Sequence, residues 1–180
     1  MSVIAGMSSD QDINLVIKNT VSQLRAAIKL HGKEVKPRDI LTKELVRLDL
    51  NMTVKQADII EMSSIDPEES DQYNFMYNAL FDASKKFEDD RDTRQAVFVS
   101  SEWCPSLIHL MIREDILLVT ATYRSVDIDK LGSDLKFLAN TTKDLLTHLK
   151  LKNGHVKMSI ISLHDYKKSD DDGRTDVEIL

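Results

Sequence analysis

Glycine and proline are scarce: five and three in 180 residues. With so few glycines, neither a GxGxxG dinucleotide loop nor a Walker-type phosphate loop can be drawn. There is one cysteine, Cys104, so an intrachain disulfide framework is excluded and a reducing compartment is expected. No run of 18 apolar residues exists, which argues against a transmembrane helix. The first residues, MSVIAGMSSDQD, carry neither a basic start nor a long apolar stretch, so no signal peptide is expected and a cytoplasmic location follows. Positive charge is in deficit, with 24 Lys+Arg against 30 Asp+Glu and a net charge of −6. That balance argues against broad nucleic-acid binding, which needs a basic face to displace counterions. A small basic pocket for one phosphate remains compatible with it.

What is present is an ordinary globular composition, 42% apolar and 30% charged, at a length suited to one domain. Ser9 and Asp10 resemble a helix N-cap pair. Ile13, Val16, Ile17, Val21, Leu24, Ala27 and Ile28 follow at helical spacing up to Gly32, predicting a helix over about 11–31. Pro37 marks a turn. Residues 43–51 alternate polar and apolar and predict a strand with one wet face. Residues 53–70 are mixed in pattern and hold the acidic loop IDPEES, which is expected to be a connection.

Phe75, Met76, Leu80, Phe81 and Ala83 predict a second helix over 71–87, followed by a solvated loop, 88–93. Residues 95–100 predict a short buried strand. Leu107–Arg113 and Ile116–Tyr123 predict a hairpin turning at Glu114–Asp115. A helix is expected over 134–150 with Gly154 as its stop, then a last strand over 156–163. The acidic tail 167–180 has little to bury and is expected to be mobile. The fold class is therefore α+β: a mixed, mainly antiparallel sheet with flanking helices, in one domain over residues 1–166.

Cys104 sits in Trp103-Cys104-Pro105-Ser106, between a strand and a hairpin. A lone cysteine is ordinarily inert and buried. A proline-fixed loop presenting the thiol, with Arg124 one hairpin away to favour a thiolate, raises a nucleophilic role. Arg124-Ser125-Val126-Asp127 follows the second hairpin strand. The guanidinium and hydroxyl suit a phosphate; the alternative is an Arg–Asp surface pair with Asp127 as a helix N-cap. His164 and Tyr166 alternate at the last strand's end, so both lie on one face, where they suit sugar hydroxyls or simply cap the strand. Arg94 alone is an ordinary loop charge. His31, His109, His148 and His155 show no metal-ligand spacing, and no metal is expected.

Taken in order, these pieces resemble the thymidylate synthase superfamily, most closely its small phage-type pyrimidine hydroxymethylases. Gly32-x-Glu34-Val35-x-Pro37-Arg38 with Thr42-x-Glu44-Leu45 is similar to the family's N-terminal block. Asp92-Thr93-Arg94-Gln95-Ala96-Val97 resembles its "sRqAv" block, and Cys104-Pro105 its nucleophile. Arg124-Ser125-Val126-Asp127 with Leu131-Gly132 resembles "RSxDxxLG", and Ser162-Leu163-His164-Asp165-Tyr166 resembles "SLHxY". Twenty residues separate Cys104 from Arg124, and 40 separate Arg124 from His164, near the family's spacing.

The resemblance implies a folate-dependent transfer of a methyl or hydroxymethyl group to C5 of a pyrimidine deoxynucleoside 5′-monophosphate. Cys104 would add to C6, making C5 a carbon nucleophile. The one-carbon donor would be 5,10-methylenetetrahydrofolate. Arg124 and Ser125 would hold the phosphate, and His164 and Tyr166 the deoxyribose. Asp127 would sit beside folate and base. A homodimer is implied, with Arg94 reaching the other protomer's site and sheets stacked at the interface.

Two departures stand out. The family's helical E-x-x-W segment is missing, with Glu61 as its nearest substitute. The base-reading position falls near Leu135 or Lys136, with Asp134 beside it, and a carboxylate there suits the amino group of cytosine. A catalytically reduced homologue that binds a nucleotide or a partner is the alternative, and a purely structural homodimer a third.

Overall fold

The computed structural model describes residues 12–36, 41–61 and 67–166, the side chains of 67–69 apart. Six strands form one sheet in the order β1-β2-β6-β5-β4-β3, where β1 is Lys33–Val35, β2 Thr42–Lys55, β3 Val97–Val99, β4 Leu107–Arg113, β5 Ile116–Asp127 and β6 Asn153–Tyr166. All neighbours are antiparallel except β5 and β6, which run parallel. Parallel neighbours need a crossover, here helix α4, Leu131–His148. Helices α1 (Ile13–His31), α2 (Pro67–Ser84) and the short α3 (Lys86–Asp89) complete an α+β fold.

The helix α1 is capped not by Ser9 and Asp10, which lie outside the described residues, but by Asp12, whose carboxylate accepts from the Asn14 N–H at 2.9 Å. It buries Ile13, Val16, Ile17, Leu24 and Ile28. Gly32 ends it in extended backbone, φ −64°, where a Cβ would meet the Ile28 carbonyl at 2.4 Å. Pro37 and the tail 167–180 lie outside the described residues.

Four expectations change. The loop 65–70, expected to be a connection, is in part helical: α2 begins at Pro67, a residue suited to a helix's first turn, and β2 runs on to Lys55. The strand expected over 95–100 is a three-residue edge, Val97–Val99, in which only Phe98 is buried and Val99 is 70% exposed. The helix α4 does not stop at Gly154. It ends in a Schellman pair, Leu151 N–H to Leu146 O and Lys150 N–H to Thr147 O, with Lys150 at φ 56° in the place glycine usually takes. Gly154 instead lies within β6, where a Cβ would stand 2.8 Å from the Thr142 methyl. Finally, β5 runs on to Asp127, so Arg124, Ser125 and Asp127 lie within a strand rather than after one. The hairpin stands as expected, with Glu114 and Asp115 at φ 50° and 59° in a two-residue turn.

One face of the sheet packs on α1, α2 and α4. Leu48, Leu50, Met52 and Val54 of β2, Leu117, Val119, Ala121 and Tyr123 of β5, and Val156, Met158 and Ile160 of β6 fill that core. The opposite face carries no described helix. Asn51, Thr53, Met111, Leu118, Thr120, His155 and Lys157 lie on it around a shallow depression.

At one level the sheet kinks. Arg47 of β2, Ile161 of β6 and Arg124 of β5 each drop out of the strand pairing, and Arg47 takes a left-handed φ of 59°. The inward residues on either side are then three apart instead of two: Leu48 to Leu45, Ile160 to Leu163, Tyr123 to Val126. The core face stays apolar, and two successive residues on each strand face out: Val46–Arg47, Ile161–Ser162, Arg124–Ser125.

Candidate functional site

Beyond the kink, the strand ends bear polar side chains. The Ser162 hydroxyl donates to the Glu44 carboxylate. Ser125 Oγ and His164 Nδ1 share a hydrogen bond at 3.2 Å, and the His164 ring meets Tyr166 edge-on at 4.5 Å. The expected pairing of His164 with Tyr166 on one face is thus realised. Burial holds the His164 imidazole below its usual value, opposed by the nearby carboxylates of Asp127 and Glu44. The Asp127 carboxylate accepts from the Asp129 N–H at 2.9 Å. It therefore closes a turn and does not cap α4, whose N-cap is Lys130.

The thiol loop is fastened on three sides. The Ser100 hydroxyl accepts from the N–H groups of Glu102 and Trp103, at 3.2 and 3.0 Å. Ser106 donates to the Thr122 carbonyl through both its N–H and its hydroxyl, at 2.9 and 3.0 Å. Gln72 of α2 donates to the Cys104 carbonyl at 3.0 Å. Trp103 stands edge-on to Phe75 at 4.7 Å. Cys104 is half-buried, not sealed in, and its bond to Pro105 is cis.

A cavity of about 230 Å³ opens beside this loop, lined among others by Tyr73, Cys104, Ser125, Asp127, Lys130 and Asp134. Asp134 is 8% exposed and accepts from the Tyr73 hydroxyl at 3.1 Å. Tyr73 is itself held by stacking on Phe137 at 4.7 Å. The Arg124 guanidinium is exposed and lies 3.5 Å from the Trp103 carbonyl, over the thiol loop.

Of the residues singled out from sequence, Cys104, Ser125, Asp127 and Asp134 meet in this cavity. Arg124 flanks it across the Trp103 carbonyl, and His164 and Tyr166 adjoin it through Ser125. Arg94 is not brought there. It is exposed just before β3, its carbonyl 3.0 Å from His109 Nε2. Glu61 is not there either. It borders a separate groove with Asp12, Lys18 and Lys136, and its N–H donates to Asn14 Oδ1 at 3.0 Å. Sequence reasoning missed Gln72 and Tyr73, because helical spacing assigns such positions to the core or to solvent. Among the described residues no group of three or more His, Cys, Asp or Glu is placed to hold a metal ion. Compared with known proteins, the chain matches no family model and no curated sequence.

Chemically, the site combines a thiol in a small cleft, a buried carboxylate that can accept from a ring amino group, and a guanidinium and hydroxyl on the outer side. Covalent addition of a thiol splits one hard step into easier ones. A cavity of this size, below the roughly 300–1,000 Å³ of sites that enclose a drug-sized ligand, suits a single ring.

Proposed function

We propose that this chain is a thymidylate synthase-like transferase moving a one-carbon unit to C5 of a pyrimidine deoxynucleoside 5′-monophosphate in the cytoplasm. The observation that carries the reading is the meeting of Cys104, Ser125, Asp127 and Asp134 in one cavity, with Arg124 over the loop that bears the thiol. Cys104 attacks C6 of the ring. Arg124 and Ser125 hold the phosphate, His164 and Tyr166 the deoxyribose, and Asp127 the region between base and cofactor. Asp134, already fixed by Tyr73, accepts from the amino group of cytosine, which favours dCMP over dUMP.

The cofactor of this reading, 5,10-methylenetetrahydrofolate, supplies the one-carbon unit. Trp103 and the exposed Phe75 offer aromatic surface beside the cleft for its ring. The cleft completes itself in a homodimer: a second copy covers the helix-free face of the sheet, and Arg94 reaches the partner's phosphate site. A reduced homologue that binds a nucleotide without C5 chemistry is the second reading, and the absence of Glu61 from the cleft favours it.

Tritium release from C5-labelled dCMP and dUMP, with and without methylenetetrahydrofolate, decides between them. Release that Cys104→Ser abolishes is expected. No release from either nucleotide, alongside measurable binding, replaces the transferase with the binder.

A further inference from the structure

Helix α2 grips two different parts of the molecule. On one side, Gln72 donates to the Cys104 carbonyl at 3.0 Å, and Phe75, three residues on, meets Trp103 edge-on at 4.7 Å. On the adjoining side, Tyr73 donates to Asp134 at 3.1 Å and stacks on Phe137 at 4.7 Å. Tyr77, four residues on, donates to the Asp144 carboxylate at 3.2 Å. Spacings of three and four keep each pair on one face of a helix. Gln72 and Phe75 therefore hold the thiol loop, Tyr73 and Tyr77 hold α4, and α2 spaces one against the other.

Gln72 and Tyr73 also line the cleft itself, beside Cys104 and Asp134. Their two bonds differ in chemistry. The Gln72 amide meets a neutral backbone carbonyl and so fixes where the Cys104 main chain lies. Arg124, 3.5 Å from the neighbouring Trp103 carbonyl, is at the limit of a hydrogen bond and is the weaker hold on the loop. The Tyr73 phenol meets a carboxylate, a group with about four acceptor positions, and its bond orients that group for a further donor. Cytosine offers such a donor in its amino group. Uracil presents an oxygen in the same place, which gains nothing from an oriented carboxylate.

We propose that these consecutive residues of α2 divide the positioning of the site: Gln72 sets the Cys104 thiol in the cleft, and Tyr73 sets Asp134 to choose cytosine over uracil. Both are positioning residues, since each acts through another group. The inference rests on the reading above for the identity of the base, and on the bond to the Cys104 carbonyl alone for the thiol. A loop freed from Gln72 lets the thiol turn toward solvent, where it meets small reagents more often and a ring in the cleft less often. A carboxylate freed from Tyr73 loses the orientation that suits an amino group. The nucleotide dCMP then loses its advantage, while dUMP, which draws nothing from Asp134, keeps its affinity.

The two effects cross, and the test reads the crossing. Gln72→Met keeps length and helix propensity without a donor, and Tyr73→Phe keeps the ring stack without the hydroxyl. The full chain is used, in which Cys104 is the sole cysteine. Wild type and both variants are compared by the rate of alkylation by iodoacetamide at neutral pH, by the dissociation constants of dCMP and dUMP, and by a thermal melt. Gln72→Met is expected to alkylate about two- to tenfold faster, the fold-change of one lost neutral hydrogen bond, with the ratio of dUMP to dCMP dissociation constants unmoved. Tyr73→Phe is expected to lower that ratio about tenfold, the lower end for a hydrogen bond to a charged group, with the alkylation rate unmoved. An alkylation rate unmoved or slower in Gln72→Met overturns the proposal, and so does an unmoved ratio in Tyr73→Phe. Variants that each move both readouts, or that fail to fold, overturn it too, because α2 would then be holding the fold and not dividing the site. A wild type that binds neither nucleotide overturns the transferase reading and the base-choosing role of Tyr73 together. Alkylation needs no nucleotide, so in that case it still decides whether Gln72 sets the thiol.

Discussion

The kink through Arg47, Ile161 and Arg124 divides the sheet into two parts built on different rules. On one side, Leu48–Lys55, Ile116–Tyr123 and Asn153–Ile160 alternate inward and outward with period two, and their inward side chains are nearly all aliphatic. On the other side, Thr42–Val46, Ser125–Asp127 and Ser162–Tyr166 contribute only Leu45, Val126 and Leu163 to the apolar core. Their outward positions hold Glu44, Ser125, Asp127, Ser162, His164 and Tyr166, several of them hydrogen-bonded across strands. The same three strands thus hold the domain together at one end and present chemistry at the other. The kink makes this possible: it inserts an extra outward residue on each of these three strands at once, so their core face is never broken.

The regular half is therefore where stability is most easily lost. Leu117→Ala, at a fully buried position of β5, is expected to cost about 2–5 kcal/mol in denaturant unfolding, since the missing side chain leaves a cavity as well as a lost transfer term. A loss below that range would mean that the regular half is loosely packed and that the division drawn above is wrong.

A smaller effect probes the kink itself. Arg47 holds a left-handed φ, a conformation that costs an L-residue roughly 1–2 kcal/mol and that β-branched side chains tolerate worst. Arg47→Val is expected to lower stability by about 1 kcal/mol, whereas Arg47→Gly should hold or raise it. Asn51→Val, at an outward position of the regular half, should be neutral or stabilising, because valine suits an extended strand. If both valine substitutions behave alike, the kink carries no backbone cost and is an incidental bend.

Much of the regular half was legible from sequence, because period-two alternation and a two-residue turn at Glu114–Asp115 are local signals. The helix at 131–148 was legible too, although its end was misplaced: the left-handed exit falls on Lys150, and no composition rule points to a lysine there. The kinked half was not readable in the same way. Arg124-Ser125 breaks the alternation, so the strand seemed to stop at Tyr123, when in fact two outward residues in succession carry it on to Asp127. Cys104 and Ser125 could be picked out by residue type, Asp127 and Asp134 only through the resemblance, and the four do share a cleft. Tyr73 could not, because a tyrosine at an inward position is indistinguishable from core until its hydroxyl is seen to touch a carboxylate. Arg94 was chosen by motif alone, and its place before the edge strand β3, away from the cleft, is a matter of topology that no local pattern encodes.

The mildest effect concerns the pH dependence of the kinked half. His164 is 8% exposed, and burial is the largest influence on its imidazole, lowering its proton affinity from the usual 6.5, with Asp127 and Glu44 opposing in part. The folded protein therefore favours the neutral ring, and the unfolded chain binds the proton more tightly. The stability that neutral His164 contributes is complete above the unfolded value of about 6.5 and is lost as pH falls through the lower folded value. Thermal melts of the wild type and His164→Gln, compared between about pH 7 and about pH 5, measure this. The wild type should lose more melting temperature over that interval than the variant, since the variant has no ring to protonate. Parallel curves would show that Asp127 and Glu44 fully offset the burial. The ring beside Ser125 would then titrate as it does in the unfolded chain, neutral for the most part at about pH 7 and meeting a ligand as a cation only once the pH falls below about 6.5.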